Sequence, residues 1–596
     1  MNCVDVVVPG PWWNTLTYLT ENSLIEGARV RVPLGRGTRV GFVSSAVYPT
    51  SDPEGLRSIK DVLDDRSVLG DDLWNLAGWI GNTFLCGVGE ALQLMCPAQI
   101  LRGESFTSTP SRAEDIDDSS FQEISLYNPL DEERFTRYRE VLSEGEKRVL
   151  LLFPESKMAS IFFAEMSKSL KSDALLWPSS GGKKLWDAWK KTASGKVRVV
   201  VGASGAAFAP LCFDEAIVDD ESNLAYIYQR PPRISARSLV GRRALTLKAR
   251  LILGGRMPSA RTYMRSRPEY CALPPRSNLV FVHIGRSLKS EIRGVEGELY
   301  VTPSLLERTE SVLEQGRHAF WIMDRKGQAG EVYCSDCGSS LNCHHCGGVT
   351  RSESIGGVAA LRCVRCGAQS SLPLRCPVCH GSLLLGKRPG LEALLPLAVR
   401  FMKGRQVLLD DPSSWAGRKY SERPSLILGT RRLLSLCDSL DVGLVAWLDL
   451  DAEARKADYN ARFQAFSMVW ESCWRGLSQN RERIVLMQVR GSGNSWRSAL
   501  RLGWGHFWRG ELREREKLGL PPYALLIQVD LSKNENRKAL IDSLERESIM
   551  AMDSGEEDAP LWIAAKSTEK LKSALAPRFE IARSRAGFPV VTVWSE

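Results

Sequence analysis

The sequence lacks long apolar runs, a strong excess of charge of one sign, and internal repeats. No stretch of about 18 or more apolar residues occurs, so no membrane-spanning helix is expected. The 79 lysines and arginines stand against 70 aspartates and glutamates, and this net charge of +9 permits nucleic-acid binding without requiring it. The N-terminal segment MNCVDVVVPGPWWN lacks the charged and apolar parts of a secretion signal, which favours a cytoplasmic protein with reduced cysteines.

The sequence is rich in paired cysteines. Eight of the 15 cysteines form four C-x2-C pairs, which are Cys334/Cys337, Cys343/Cys346, Cys363/Cys366 and Cys376/Cys379. Each pair directs two thiolates at one point, and two pairs complete a closed tetrahedral site for structural zinc. Eight sulfurs therefore predict two zinc ions per chain, whereas the alternative, a disulfide framework, needs an oxidising compartment. The spacing leaves open which pairs share an ion.

The length of 596 residues predicts several domains, because one core rarely grows beyond about 300 residues. Alternating apolar residues near the N-terminus predict a β-rich module, and two later blocks alternate short apolar runs with helical stretches, as parallel sheets do. The predicted fold is multidomain α/β. Its parts are a β-rich module (1–102), a linker (103–120), a first lobe (121–270), a second lobe (271–330 and 386–499), a cysteine-rich insertion (331–385) and a small α+β domain (500–596).

This organisation resembles the primosomal protein N′ (PriA) family of replication-restart helicases. The most specific markers are the eight-cysteine array and the segments TYLTENSLIEGARVRVPLGRGTRVGFV, VVVGASGAAFAP and FWRGELREREKLGLPPYALL. The resemblance implies two RecA-like lobes with the zinc module in the second. It also implies a nucleoid-associated protein that binds replication forks and meets the replicative helicase or its loader and single-strand-binding protein. The family's winged-helix module is missing, since only the linker separates the front module from the first lobe.

The resemblance also implies particular sites. In the family the cysteines pair in nested fashion, which gives one zinc site of Cys334, Cys337, Cys376 and Cys379 and another of Cys343, Cys346, Cys363 and Cys366. The family's front domain captures the 3′ end of a nascent strand, in a pocket that maps to Leu16, Thr17, Tyr18, Gly35 and Lys60. The family usually has Asp at the position of Thr17. Four nearby arginines, Arg29, Arg31, Arg36 and Arg39, suit a phosphate track.

The groups that hydrolyse ATP in this family are missing. A P-loop needs glycines, a Lys and a Ser/Thr to hold the phosphates and Mg²⁺, yet the chain there reads SLYNPLDEERFTRY, with carboxylates from Asp131 onward. The loop WPSSGGKKLW only mimics such a motif, because Trp177 replaces the first Gly and Lys184 replaces the Ser/Thr.

The other motor motifs are altered as well. The second motif aligns as VDDES, with Asp219 at the metal-binding position, Asp220 in place of the base Glu and Ser222 in place of His. The SAT segment aligns with GRMPS, and GTQ aligns with Gly429–Arg431. No QxxGRxxR run occurs near residues 469–476, so the arginine finger is absent from the sequence.

Three functions follow as hypotheses. The first is a protein that binds stalled replication forks and promotes primosome assembly and helicase reloading, with no catalytic residues and only Asp219 as a vestige of nucleotide binding. The alternative is an active ATP-dependent 3′→5′ helicase. The second alternative is a zinc-ribbon interaction scaffold that does not bind DNA.

Overall fold

The computed structural model describes the chain except for residues 107–119, 167, 268–277, 286–287, 292–293, 345–346, 356–357, 365–366, 411–422, 457, 478–481, 491–494, 532–536, 554–558, 579–587 and 596. Most of the predicted linker lies outside the described residues. The rest falls into two compact units. The first comprises Met1–Asn128, Glu132–Glu269 and Glu511–Glu596, and the second comprises Pro129–Asp131 and Tyr270–Gly510.

The first unit begins with a mixed sheet whose order is β6-β2-β1-β4-β3-β7, with β5 paired to β1. Its strands are β1 (Asn2–Val7), β2 (Leu16–Thr20), β3 (Arg29–Leu34), β4 (Gly37–Val43), β5 (Tyr48–Pro49), β6 (Arg57–Ser58) and β7 (Asp61–Val62). Three helices follow: α1 (Asp71–Thr83), α2 (Val88–Met95) and α3 (Ala98–Arg102). The predicted β-rich front module is confirmed, because alternating valines of β1 and β3 fill its small core.

A parallel sheet with the order β10-β11-β9-β12-β13-β8 forms the next part of this unit. Its strands are β8 (Gln122–Tyr127), β9 (Val149–Leu152), β10 (Ala174–Leu176), β11 (Val199–Gly202), β12 (Glu215–Val218) and β13 (Arg250–Gly255). Its helices are α4 (Asp131–Ser143), α5 (Ser156–Glu165), α6 (Lys168–Lys171), α7 (Lys183–Ala193), α8 (Ala236–Thr246) and α9 (Ala260–Ser266). The central strands are buried along their whole length, as parallel strands covered on both faces are.

The second unit contains the other predicted parallel sheet, ordered β14-β27-β26-β18-β25-β24, and a cysteine-bearing sheet ordered β16-β23-β19-β20-β21-β22. The strands are β14 (Asn278–His283), β15 (Leu288–Lys289), β16 (Val295–Glu296), β17 (Glu298–Leu299), β18 (His318–Ile322), β19 (Ala329–Cys334), β20 (Thr350–Ile355), β21 (Val358–Cys363), β22 (Gln369–Ser371), β23 (Leu384–Pro389), β24 (Val407–Leu409), β25 (Leu426–Gly429), β26 (Val442–Trp447) and β27 (Ile484–Val489). The helices are α10 (Pro303–Glu314), α11 (Leu391–Phe401), α12 (Leu450–Ala454), α13 (Ala461–Trp474) and α14 (Ser495–Leu502). The next helix, α15 (Trp504–Leu518), begins in this unit, and its residues from Glu511 onward are assigned to the first. The cysteine-bearing strands β19 to β23 interrupt the chain between β18 and β24 of the parallel sheet.

The C-terminal part of the first unit is an antiparallel sheet ordered β29-β30-β28-β31. Its elements are β28 (Leu525–Asp530), α16 (Arg537–Arg546), β29 (Ala551–Met552), β30 (Leu561–Ala565), α17 (Glu569–Leu575) and β31 (Val590–Trp594). Its apolar face joins the core that the front helices and the first parallel sheet build. No helix among the described residues has the length and apolar character needed to cross a membrane.

Candidate functional site

The segment that aligns with the P-loop of the related helicases follows β8 and is short. Only residues 128–130 separate the end of β8 from the start of α4 at Asp131. A P-loop places eight residues, from its first Gly to its Ser/Thr, around the phosphates. The first turn of α4 also carries three consecutive carboxylates, of which Glu133 accepts a hydrogen bond from the Asn128 amide at 2.5 Å. These charges oppose a nucleotide's phosphates.

The carboxylate at the aligned metal-binding position, Asp219, is paired with the buried guanidinium of Arg134. Asp219 directly follows β12, and its side chain is 2% exposed. The Arg134 Nε donates to Asp219 Oδ1 at 2.8 Å, and the Tyr138 hydroxyl donates to the same oxygen at 2.8 Å. Arg134 is itself fully buried and also donates to the Asn128 carbonyl at 2.6 Å. Asp219 is therefore paired with a fixed, buried cation.

The next two carboxylates are paired in the same way. Arg256 Nη1 lies 3.0 Å from Asp220 Oδ2. Burial alone would raise the pKa of Asp220, but the charges of Arg256 and Arg134 outweigh burial and hold the pKa below its ordinary value. The backbone of Asp220 also lies close to Gly255, which takes φ +143°. Glycine is required at this position, because a Cβ there would lie 2.7 Å from the Asp220 Cα.

Glu221 completes this buried network. Its carboxylate lies 3.0 Å from Arg237 Nε, although the two atoms are not aligned for a hydrogen bond. The other oxygen accepts from the Tyr127 hydroxyl at 2.9 Å and from the Ser259 N–H at 2.7 Å. We call the three ion pairs Arg134–Asp219, Arg256–Asp220 and Arg237–Glu221 the buried ion network.

The other motor positions also have structural partners. Arg431, at the third position of the GTQ alignment, lies 3.1 Å from Asp324. In the segment where the arginine finger is sought, Arg475 is 4% exposed and pairs with Asp438 at 2.8 Å and with Glu471 at 2.6 Å. The WPSSGGKKLW loop follows β10, an edge strand at the opposite side of the sheet from β8.

Four cysteines come together at the ends of the cysteine-bearing sheet. The Sγ atoms of Cys334, Cys337, Cys376 and Cys379 all lie within 4.8 Å of one another. The Cys334–Cys379 and Cys337–Cys376 distances are 3.6 and 3.7 Å. Zn–S bonds of about 2.3 Å in a tetrahedron place the sulfurs about 3.8 Å apart, so this set fits a zinc ion. Two of its members are buried and two are exposed.

The first cysteine of each of the four pairs begins the same turn. Its carbonyl accepts a hydrogen bond from the N–H four residues on, and its N–H donates to the carbonyl five residues on. The residues four positions on are Gly338, Gly347, Gly367 and His380, with φ angles of +73°, +70°, +74° and +61°. In the two turns that begin at Cys334 and Cys376, both thiols of each pair converge on one point. Cys346 and Cys366 of the other predicted site lie outside the described residues, whereas Cys343 and Cys363 are buried.

The residues of the predicted 3′-end pocket lie around β2 and the hairpin of β3 and β4. Gly35 takes φ +60° in the two-residue turn between those strands. Arg57 on β6 pairs with Tyr18 on β2 and donates to the Gly35 carbonyl at 3.0 Å. Lys60 is exposed, and its N–H donates to the Arg31 carbonyl at 2.8 Å. Arg57 is an additional cation at this position, and no sequence motif around residue 57 indicates it.

Tyr18 is turned away from solvent. Its ring is 4% exposed within the front core, and its hydroxyl donates to the Pro33 carbonyl at 3.1 Å. A base could stack on it only if the ring left the core. Thr17 points to the opposite face of β2, where its hydroxyl donates to Asp5 Oδ1 at 2.7 Å.

The expected phosphate track is only partly available. Arg29 is fully buried, where it binds Asp64 at 2.7 Å and donates to the Ile100 and Glu104 carbonyls, so its inclusion in the track was wrong. The alternation of side chains along β3 does not reveal whether Arg29 is exposed. Arg29 can be buried because Asp64 provides a counter-charge. Arg36 and Arg39 are exposed.

The front module is similar to a known DNA-binding domain. Residues 5–97 match the family model of the 3'DNA-binding domain (3'BD). The match covers the front sheet and the helices α1 and α2 of the first unit.

Relatives from several bacteria carry the name Replication restart protein PriA. The Thermotoga maritima protein is 26% identical over 58% of this chain and 48% of its own length. The Treponema pallidum protein is 24% identical over 86% of this chain and 84% of its own, and that of Helicobacter pylori J99 is 22% identical over 90% and 88%. At 22 to 26% identity, the chain is similar to these bacterial proteins named Replication restart protein PriA.

The chain spans about half the length of the Thermotoga relative. Among solved structures, the E. coli DExH-box NTPase HrpB is 10% identical and covers 61% of this chain and 39% of its own, with a TM-score of 0.32.

Proposed function

We propose that this protein recognises stalled replication forks and promotes primosome assembly and reloading of the replicative helicase, without helicase activity of its own. In this role the two lobes serve as a folded scaffold, and binding energy comes from DNA and partner contacts. Replication restart and fork binding rest on the family, and the lack of motor activity rests on the chain's own residues.

The buried ion network is the observation that carries the proposal. A motor needs an open carboxylate for Mg²⁺ and a second carboxylate free to polarise water. Here Asp219 and Asp220 each face a buried guanidinium, at 2.8 and 3.0 Å. Removing one partner of such a pair is strongly destabilising, because it leaves an uncompensated buried charge. Both carboxylates are therefore needed as counter-charges within the fold.

DNA would enter at the front module. We assign the capture of a nascent 3′ end to the surface around Leu16, Thr17, Tyr18, Gly35 and Lys60, with Arg57 as an added cation. Exposed lysine and arginine side chains contribute through phosphate contacts and release of counterions. Because Tyr18 is buried, we assign it to the support of the pocket and not to base stacking.

Two zinc ions would stabilise the cysteine-bearing sheet. The first would bind Cys334, Cys337, Cys376 and Cys379, and the second would bind Cys343, Cys346, Cys363 and Cys366. The identical turns at Cys343 and Cys363 support the second site. When bound, zinc would supply cross-links and not catalysis, because four thiolates leave no open coordination position.

The replicative helicase, its loader and single-strand-binding protein are the partners that the family suggests.

Fork binding and ATP turnover measured on one preparation test the proposal. Fluorescence anisotropy should show tighter binding to a fork with a nascent 3′ end at the junction than to one without it, and this binding should not need ATP. Phosphate release should stay at the protein-free rate with either fork.

DNA-stimulated phosphate release that disappears in Asp219→Asn would instead support the active helicase. Weak, salt-insensitive anisotropy with every DNA would support the scaffold that does not bind DNA.

A further inference from the structure

The second unit contains a cavity that plays no part in the proposed fork site. It has a volume of about 550 Å³ and lies at the carboxyl edge of the parallel sheet of this unit. Arg325 follows β18, Asp449 follows β26 and Arg490 follows β27, while Arg388 comes from β23 of the cysteine-bearing sheet. Open α/β sheets bind ligands beyond the carboxyl ends of their strands. The volume falls within the range of about 300–1,000 Å³ typical of small-molecule sites.

The carboxylates of the cavity wall are already engaged by the protein. Each accepts a hydrogen bond from a neighbouring group: Glu296 from Tyr333 (2.7 Å), Glu298 from Tyr300 (2.5 Å), Asp449 from Arg325 (3.2 Å) and Asp451 from the Arg490 N–H (2.6 Å). Asp451 also pairs with the buried guanidinium of Arg497. These hydrogen bonds fix the positions of the four carboxylates, whose negative charge offsets part of the positive charge of the wall.

The cations of the wall are not matched in the same way. Among the described residues, Lys387, Arg388 and Arg455 have no carboxylate within ion-pair distance, and all three are exposed. The Lys387 ammonium lies 3.6 Å from the ring centroid of Tyr333, a contact that leaves its charge uncompensated. Arg490, by contrast, lies 3.6 Å from Asp449 and 4.6 Å from the ring centroid of Tyr300, with 45% of its side chain exposed. The cavity therefore has an excess of positive charge.

The backbone of the wall is also held in an unusual conformation. Arg388 lies inside β23 yet takes φ +60°, in the left-handed region that side chains other than Gly seldom adopt. Burial lowers the pKa of the Arg325 guanidinium against the opposing charge of Asp449, and the positive charge of Arg388 adds to the lowering. Both features cost stability and bring guanidinium groups towards one space, as ligand sites do.

We propose that this cavity binds a small ligand with two linked phosphates, either free pyrophosphate or the diphosphate of a nucleotide. The unmatched cations lie on two walls, Lys387 and Arg388 on β23 and Arg455 at the end of α12, so a ligand must present charge at two points to meet both. Arginine binds phosphate oxygens through its fork of N–H donors, and this chemistry is the same for both sources.

Isothermal titration calorimetry of the full chain, without added divalent ions, tests the site. Pyrophosphate and ADP are the probes, and orthophosphate is the third titrant. We expect one pyrophosphate per chain, with affinity at least tenfold above that of orthophosphate. If ADP binds as tightly as pyrophosphate or more tightly, the ligand of this cavity is a nucleotide. If ADP binds more weakly, the ligand is free pyrophosphate.

Variants assign the binding to this cavity. Arg388→Ala with Arg455→Ala should weaken pyrophosphate binding at least tenfold, whereas Lys403→Ala with Arg509→Ala removes the same charge from exposed positions outside the cavity and should leave it unchanged. Arg455→Glu alone, at an exposed position, tests the site if the double variant folds poorly. Zinc content and thermal midpoint report on folding.

Three results would overturn the proposal. They are no binding of pyrophosphate by the wild type, an equal loss of pyrophosphate affinity in the control variant, and a double variant that keeps its pyrophosphate affinity while it loses affinity for single-stranded DNA. Fork binding through the front module should be unchanged in the Arg388 and Arg455 variants, so failure of this proposal and failure of the proposed function are separable.

Discussion

At the scale of single residues, three arginines decide how the motor carboxylates are used. Arg134, Arg237 and Arg256 are each 5% exposed or less, and each faces one member of the Asp219–Glu221 run. Burying an arginine is unfavourable unless a carboxylate faces it. The carboxylates that a motor would aim at Mg²⁺ therefore hold the fold together.

The first prediction concerns Asp219. Asp219→Asn should lower the free energy of unfolding by about 3–5 kcal/mol, because it leaves the buried Arg134 guanidinium without its counter-charge. Urea denaturation of both proteins measures the change. Asp65→Asn is the matched control, since Asp65 pairs with Arg66 on the surface with 85% of its side chain exposed. Equal midpoints for wild type and Asp219→Asn would contradict the buried ion pair.

The second prediction concerns acid stability. The folded pKa of Asp220 lies below the ordinary value of 3.8, so its ionised form favours the native state. This contribution is complete above the ordinary pKa and is lost as the pH falls through the lowered, folded value. The difference in unfolding free energy between wild type and Asp220→Asn should therefore be constant near neutral pH and narrow below about pH 4. A difference that grows towards acid would mean that the pKa is raised.

At the scale of elements, the turns of the cysteine-bearing sheet are the most regular feature. The same turn begins at Cys334, Cys343, Cys363 and Cys376, and its fifth residue takes a positive φ each time. Glycine follows three of the four C-x2-C pairs, so the sequence already carried this signal. Pairing between the turns depends on strand order, which brings Cys334 and Cys376 together because β19 pairs with β23.

The third prediction concerns the zinc count. Elemental analysis of the wild type should give two zinc ions per chain, and Cys343→Ser should give one, because the set containing Cys334 and Cys376 is untouched. Cys437→Ser, at a buried cysteine outside the array, is the control and should keep two. Two zinc ions in Cys343→Ser would contradict the ligand assignment.

The fourth prediction concerns the front sheet. Arg57→Ala and Lys60→Ala should each weaken binding to a fork with a nascent 3′ end and reduce the salt dependence of log affinity by about one counterion. Arg66→Ala, an exposed arginine that already pairs with Asp65, should have little effect. Anisotropy at several salt concentrations measures all three. Equal losses in the three variants would mean a general charge effect in place of a pocket.

At the scale of the whole molecule, the two compact units have separate cores. One core joins the front helices, the first parallel sheet and the C-terminal sheet, and includes the buried pair of Arg243 with Asp72 at 2.7 Å. The other core surrounds the second parallel sheet. All eight paired cysteines belong to the second unit.

The fifth prediction follows from this division. Differential scanning calorimetry should show two unfolding transitions, since each unit has its own core. A zinc chelator such as 1,10-phenanthroline should lower the midpoint of one transition, that of the cysteine-bearing unit, and leave the other in place. A single transition that shifts as a whole with chelator would contradict independent units.

The sequence by itself determined the sheets and the cysteine turns, because these follow from local signals: apolar runs and C-x2-C spacing followed by Gly. It also indicated that the motor groups were lost, since Lys, Ser/Thr and Glu are missing from the positions where the family has them. The expectation for Arg29 failed because alternation along a strand does not reveal a buried counter-charge such as Asp64.

Only the tertiary structure decided which charges meet. Arg134 and Asp219 are 85 residues apart, and their pairing depends on strands that are not neighbours in sequence. The burial of Tyr18 and the cavity beside Arg388 have the same origin. Ion pairs and cavities arise when the folded chain brings distant segments within a few ångströms, where the Coulomb energy depends on distance and burial and not on separation along the chain.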